Sequence, residues 1–179
     1  MKNYDITKTK LIIWDLDDTF WKGTLSEGGV EFLPGMINFI EDLTLKGIMN
    51  SICSKNDFES VKNEFINRGF KHLWDLFVFP SINWLPKGER VKNIINDMNL
   101  RAENVILIDD NISNLNEAKF YSPEIMTAHP YEIKKISEEL YLVNDYDFEH
   151  TRLKQYKILE EKSAARGESS NEEFFISYG

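Results

Sequence analysis

Asp15, Asp17 and Asp18 crowd three carboxylates into four consecutive positions, and Thr19 adds a hydroxyl. Acids this close repel one another, and a stable fold tolerates them best with a cation among them. Carboxylates in such a group can ligate a hard divalent ion, attack an electrophile, or carry a proton. The plainer reading is an acidic turn, because Asp is common in turns. Further groups of chemical interest lie far along the chain: Ser54, then Lys87, then the pair Asp109-Asp110. Each also has an ordinary structural reading. Ser54 fits a cap, Lys87 a solvated helix surface, and Asp109 and Asp110 a helix N-terminus. Their common position relative to the strands decides between the readings.

Leu11-Ile12-Ile13-Trp14, directly before Asp15, reads as a buried strand. Met49 to Cys53 reads as a second strand ending at Ser54, and Leu76 to Phe79 as a third, closed by Pro80. Val105 to Ile108 reads as a fourth that runs into Asp109, and a weak fifth lies near Ile125 to Thr127. Helical spacing fills the intervals. Pro34 opens a helix that Gly47 stops, Asn56 and Glu59 form an expected capping box, and Val91, Ile94, Ile95 and Met98 share one face. Further helices are expected over about 112–121 and from Pro130 to about Leu142. Between the first strand and first helix, residues about 20–33 suggest a β-hairpin flap near the acids. Alternating strands and helices imply an α/β fold, a doubly wound parallel sheet with right-handed crossovers. Parallel strands place their carboxyl ends on one edge, where such sheets bind ligands. Asp15, Asp17, Ser54, Lys87, Asp109 and Asp110 all fall at that edge.

Residues 1–144 are expected to form the catalytic domain and 145–179 a helical C-terminal extension. Asp145 to Arg166 is strongly charged and helical in pattern, with Phe148, Leu153, Tyr156 and Leu159 as apolar contacts. Gly167 is expected to break that helix, and Ser170 with Glu173 to cap another. The tail is expected to pack back on the domain.

The 179 residues, 42% hydrophobic, suffice for one ordinary core, and the net charge of −9 opposes a phosphate-backbone binder. A small anionic substrate is compatible with that charge if a metal and a local cation reverse the field in a cleft. Cys53 is the single cysteine, which rules out an intrachain disulfide and fits a reducing compartment. Neither a signal-type apolar start nor a membrane-length run is present, so a cytoplasmic protein without a membrane or nucleic-acid partner is expected.

Response-regulator receiver domains also combine clustered acids, a hydroxyl and a lysine, but place their phosphorylated Asp after the third strand. Nothing here matches that order. Asp15-Leu16-Asp17-Asp18-Thr19 instead resembles the first motif, DxDx[TV], of the haloacid dehalogenase (HAD) superfamily. Ser54, Lys87 and Asp109-Asp110 resemble the second, third and fourth. Within the superfamily the chain is most similar to the capless FkbH-like branch. The stretches that carry this likeness are Trp14 to Gly29, Ile52 to Asp57, Ile82 to Lys87, Ile108 to Asn111, and two in the tail, Arg152 to Tyr156 and Glu172 to Phe175. Lys22 and Ser26 depart from the small residues usual in that branch's hairpin, which bears on substrate choice.

The resemblance implies a Mg2+-dependent phosphatase or phosphotransferase acting on a small phosphorylated substrate. Asp15 would be the nucleophile and Asp17 the general acid and base. Asp15, the main-chain carbonyl of Asp17 and Asp110 would hold Mg2+, with Asp109 acting through water. Ser54 and Lys87 would bind the phosphoryl group, and Lys55 a second anionic group. The branch also implies an alternative, transfer of a glyceryl unit from 1,3-bisphosphoglycerate to an acyl carrier protein, with Cys53 as candidate acyl-carrying thiol. Against that role, a lone cysteine is more often a buried, inert strand residue. A third reading is an inactive domain that binds a partner through its tail.

Overall fold

The computed structural model describes the backbone of residues 4–177 and the side chains of residues 4–167. Its strands are β1 (Leu11–Trp14), β2 (Trp21–Lys22), β3 (Glu31–Phe32), β4 (Met49–Ser54), β5 (Ser81–Ile82), β6 (Val105–Ile108) and β7 (Met126–Ala128). Its helices are α1 (Pro34–Leu45), α2 (Phe58–Asn67), α3 (Lys71–Trp74), α4 (Lys87–Asp97), α5 (Ile112–Tyr121), α6 (Ile133–Tyr141) and α7 (Thr151–Ser177). Five strands form one parallel sheet in the order β5-β4-β1-β6-β7, and β2 pairs with β3 in a separate antiparallel hairpin. The expected α/β architecture and the hairpin after β1 are both present. No helix among the described residues is long and apolar enough to cross a membrane.

Two apolar layers sandwich the sheet, and strand periodicity decides which residue joins which. Ile12 and Trp14 join the layer built with α1, α2 and α6, whereas Leu11 and Ile13 join Val91, Ile94, Ile95 and Leu115 of α4 and α5. β6 keeps step with β1, because Leu11 pairs with Val105 and Trp14 with Ile108. Ile106 and Ile108 therefore face the α1 side, and Val105 and Leu107 the α4 side. The next residue that points towards α4 is Asp15 after β1 and Asp109 after β6. Both continue the ladder, with Asp15 N donating to Ile108 O and Asp109 N donating to Ala128 O.

The third strand departs from expectation. Phe77 makes one isolated bridge with Asn50, and regular pairing with β4 begins only at Ser81. Phe79 has φ +49 and Pro80 follows it with no N–H to give, so the ladder cannot run through. Side chains of α7 take up the stranded backbone groups: Lys157 Nζ donates to Phe77 O, and Phe79 N donates to the Glu160 carboxylate. Leu153 and Tyr156 pack on the α4-side core, and Arg152 donates to Gly47 O. The first turns of α7 thus lie back on the domain, while Phe148 stays 72% exposed and makes no core contact.

Two other expectations fail locally. α7 continues through Gly167 to Ser177; glycine costs a helix about 1 kcal/mol but does not end one unaided. The side chains of Ser170 and Glu173 lie outside the described residues, as does the cap expected of them. The N-cap of α2 is Asp57, whose carboxylate accepts from Ser60 N, and not Asn56. Asn56 is turned towards the sheet edge instead.

Candidate active site

Lys87 is the first residue of α4, and its side chain is 2% exposed. Its Nζ lies 2.7 Å from Asp15 Oδ1 and 2.7 Å from Asp109 Oδ2. The strand alternation described above accounts for this, since both carboxylates point to the α4 side. Two features of α4 fix its start. A Cβ on Gly88 would fall 2.6 Å from Glu117 Cγ and 2.7 Å from Tyr121 Cδ2, so only glycine lets α4 approach α5 this closely. Arg90 staples the preceding loop. Its guanidinium donates to Ser81 Oγ and to the carbonyls of Ser54, Ser81, Asn83 and Leu85. Trp84 and Leu85 stand out from that loop, 65% and 63% exposed.

Asp109 is fully buried and saturated with donors. Oδ1 accepts from Asn111 N at 2.8 Å and from Asn114 Nδ2, while Oδ2 accepts from Lys87 and Asn114. Asp110 is exposed, and Thr19 Oγ1 lies 3.3 Å from its Oδ1 and 3.3 Å from Asp15 Oδ2. One ligand atom each from Asp15, Asp109 and Asp110 fits within 4.8 Å of the others. The carboxyl ends of β1 and β6, neighbours in the sheet but almost a hundred residues apart in sequence, therefore bring these groups together.

Burial pushes Asp15 up to about 7. Lys87 pulls it back, and the Asp109 charge and the Asp110 contact add to the rise. Burial alone would lower Lys87, but Asp15 and Asp109 more than reverse this and hold it above the usual lysine range. Three carboxylates against one ammonium leave two formal negative charges uncompensated (−3 + 1 = −2). The donor set, hard carboxylate oxygens on an edge open to solvent at Asp110, fits a divalent cation of the Mg2+ type.

The flap side carries a second cluster. Asp17 Oδ1 accepts from Trp21 Nε1 at 2.9 Å and from Leu25 N at 3.1 Å, both in the hairpin. Asp17 Oδ2 accepts from Asn56 Nδ2 at 3.1 Å, and the same nitrogen donates to Ser54 Oγ at 2.9 Å. Asp18 takes φ +52 and turns its carboxylate to Gly23 N, as the hinge of the hairpin. Lys55 is exposed beside this cluster. Cys53, one residue before Ser54, points into the α4-side layer, beneath the side to which Asp15 and Lys87 are turned. It is fully buried among Leu11, Ile13 and Val91, and burial pushes its thiol up to about 11. Burial of this kind disfavours the thiolate that a nucleophilic role would need.

Sequence reasoning missed Thr19, Asn56, Arg90 and Asn114 as members of the site. Thr19 and Asn56 lie inside the motif strings Asp-Leu-Asp-Asp-Thr and Ser-Lys-Asn-Asp. Arg90 and Asn114 lie three and five residues beyond Lys87 and Asp109, one helical turn in, which is the one signal that marks them.

No protein-family model and no curated protein matches the chain. Solved structures do. The N-terminal part of a Bacteroides fragilis protein, containing a phosphatase domain complexed with Mg, is 24% identical over 78% of this chain, with a TM-score of 0.62. This chain spans 41% of that one. A cobalt-bound deoxy-D-mannose-octulosonate 8-phosphate phosphatase from Haemophilus influenzae is 17% identical, covering 77% of this chain and 92% of its own, with a TM-score of 0.58. A HAD-superfamily hydrolase from Ehrlichia chaffeensis is 14% identical, covering 74% and 98%, with a TM-score of 0.53. The chain has the fold of HAD-superfamily hydrolases.

Proposed function

We propose that the chain is a Mg2+-dependent phosphohydrolase of the FkbH-like branch, acting on a small phosphorylated metabolite through an aspartyl-phosphate. The observation that supports this best is the meeting of Asp15, Asp109 and Asp110 at one sheet edge, with Lys87 as internal counter-charge. Asp15 attacks phosphorus, forming a new P–O bond while the bond to the leaving oxygen breaks. Asp17 gives that oxygen its proton. Asp17 then takes a proton from water, which attacks the same phosphorus, releases inorganic phosphate and restores the Asp15 carboxylate. The Ser54 hydroxyl donates a hydrogen bond to a phosphoryl oxygen, and Lys87 offsets the negative charge that gathers there. Asp109, already saturated by Lys87, Asn111 and Asn114, acts as a buried orienter, leaving Asp110 as the direct ligand alongside Asp15 and the Asp17 carbonyl. Bound Mg2+ supplies charge neutralisation and alignment of the phosphoryl group.

Glyceryl transfer through Cys53 lacks a comparable support, because that thiol is fully buried in the apolar layer on the α4 side and burial disfavours its thiolate. Phosphate release from a panel of acyl phosphates and phosphomonoesters tests the reading. Turnover with Mg2+, abolished by EDTA and restored by added Mg2+, is the expected result. Metal-independent turnover, or none on any member, would remove it.

The charge excess also gives a pH signature. Asp15 in the fold titrates near 7, above its ordinary 3.8. Ionising it therefore costs stability, which is intact below about pH 4 and declines as pH rises to about 7. A divalent ion binds the ionised form and reverses the loss. Saturating Mg2+ is expected to raise Tm by about 5–10 °C at about pH 8, from some 2.7 kcal/mol of binding linkage, and by much less at about pH 5. Equal shifts at both pH values would show that the ion binds elsewhere.

A further inference from the structure

Asn56 belongs to no catalytic role given above, yet it is 3% exposed and touches two groups that have one. Its Nδ2 is shared between Ser54 Oγ (2.9 Å) and Asp17 Oδ2 (3.1 Å). The amide nitrogen faces both groups, donating to the Asp17 carboxyl and to the Ser54 hydroxyl oxygen. The consequence for Ser54 is directional. Its oxygen accepts from Asn56, so its single proton is free to donate elsewhere, and the phosphoryl position is the remaining direction in use. Among the described residues, Asn56 is the only donor to Asp17 outside the hairpin, the other two being Trp21 Nε1 and Leu25 N. The Asp17 carboxylate is thus held from the two-stranded hairpin on one side and from just beyond the end of β4 on the other.

We infer that Asn56 is a positioning residue that holds the general acid Asp17 and the phosphoryl-binding Ser54 in mutual register, and so sets which leaving groups the enzyme can expel. The inference rests on the function proposed above. It makes the role of Asn56 specific. A poor leaving group such as an alkoxide needs its proton from a correctly placed acid; a good one such as p-nitrophenolate hardly does. Loss of Ser54 orientation weakens both substrates alike; loss of Asp17 placement slows hydrolysis of the shared aspartyl-phosphate for both, but slows the phosphorylation step, which kcat/KM reports, only for the first.

The test compares kcat and KM for glycerol phosphate and p-nitrophenyl phosphate, each with Mg2+, on wild type, Asn56→Ala and Asn56→Asp. The second variant keeps the shape and replaces the shared donor with a charge that repels Asp17. In both variants kcat/KM for glycerol phosphate is expected to fall by about 10²-fold, the lower end of general acid–base contributions, and kcat/KM for p-nitrophenyl phosphate by less than about tenfold. In an Asp17→Asn background, Asn56→Ala should add nothing to the difference between the two substrates. An equal fall in kcat/KM on both substrates, no fall, or failure of both variants to fold would overturn the assignment and leave Asn56 as a structural group. Wild type inactive on both substrates and across the phosphate-release panel would instead strike the underlying phosphatase reading, so the two failures are distinguishable.

Discussion

Asp15→Asn is expected to lower Mg2+-dependent phosphate release by on the order of 10⁴-fold or more, the scale seen when an enzyme loses its nucleophile, while the protein stays folded. The two halves of this expectation have separate physical causes. An amide oxygen is a poor nucleophile and its phosphorylated form is not a viable intermediate, so the covalent route closes. The fold survives because Asn has the shape of Asp, and its Oδ1 can still accept from Lys87 Nζ, now 2.7 Å from Asp15. Lys87 also keeps Asp109 as a charged partner at 2.7 Å. One carboxylate fewer relieves the repulsion that burial and Asp109 impose on Asp15, so without metal the variant should melt at or above the wild-type temperature near pH 8. Phosphate-release kinetics and thermal melts check the two halves. Mass spectrometry of acid-quenched wild type should show a phosphoryl adduct on the peptide containing Asp15, absent from the variant. Equal turnover by the two proteins would remove Asp15 from its role and favour a domain that only binds.

The central strands were readable because both faces of each are covered. Leu11 to Trp14 and Val105 to Ile108 are unbroken apolar runs, which is what a strand buried on two sides must be. The acids that end them were equally plain, and the period of two sends Asp15 and Asp109 to the same face. What could not be read depended on distant partners. Leu76 to Phe79 has the composition of a strand, yet Phe79 adopts a positive φ, and the backbone around it is satisfied by Lys157 and Glu160 from the far end of the chain. Asn56 looked like a cap because its local spacing to Glu59 is right; a carboxylate 39 residues away offers its amide a stronger, charge-assisted bond. Lys87 is the sharpest case. In a lysine at a helix start, sequence alone favours solvent, and only the packing of α4 on α5 at Gly88 makes it a buried ion.

Lys87→Met is expected to destabilise the metal-free protein by about 3–5 kcal/mol, the range found when one partner of a buried charge pair is removed, a fall in Tm of roughly 10 °C for a domain of this size. Methionine fills nearly the same volume, so the loss is not a packing effect. It arises because Asp15 and Asp109, both buried, lose their shared ammonium and face each other uncompensated. Two controls isolate the charge. Lys55→Met removes an exposed lysine from the same sheet edge and should leave Tm unchanged. Adding Asp109→Asn to Lys87→Met removes one of the orphaned charges and should restore part of the stability but none of the activity, because the phosphoryl group still lacks its cation. Mg2+ should stabilise Lys87→Met more than wild type, since the ion then meets Asp15, Asp109 and Asp110 without the ammonium that offsets the first two. Thermal melts with EDTA or Mg2+, alongside phosphate release, measure all of these. If Lys87→Met melted with wild type in EDTA, the three carboxylates would not depend on Lys87 for their charge balance, and the electrostatic basis for placing a cation at this edge would fail with it.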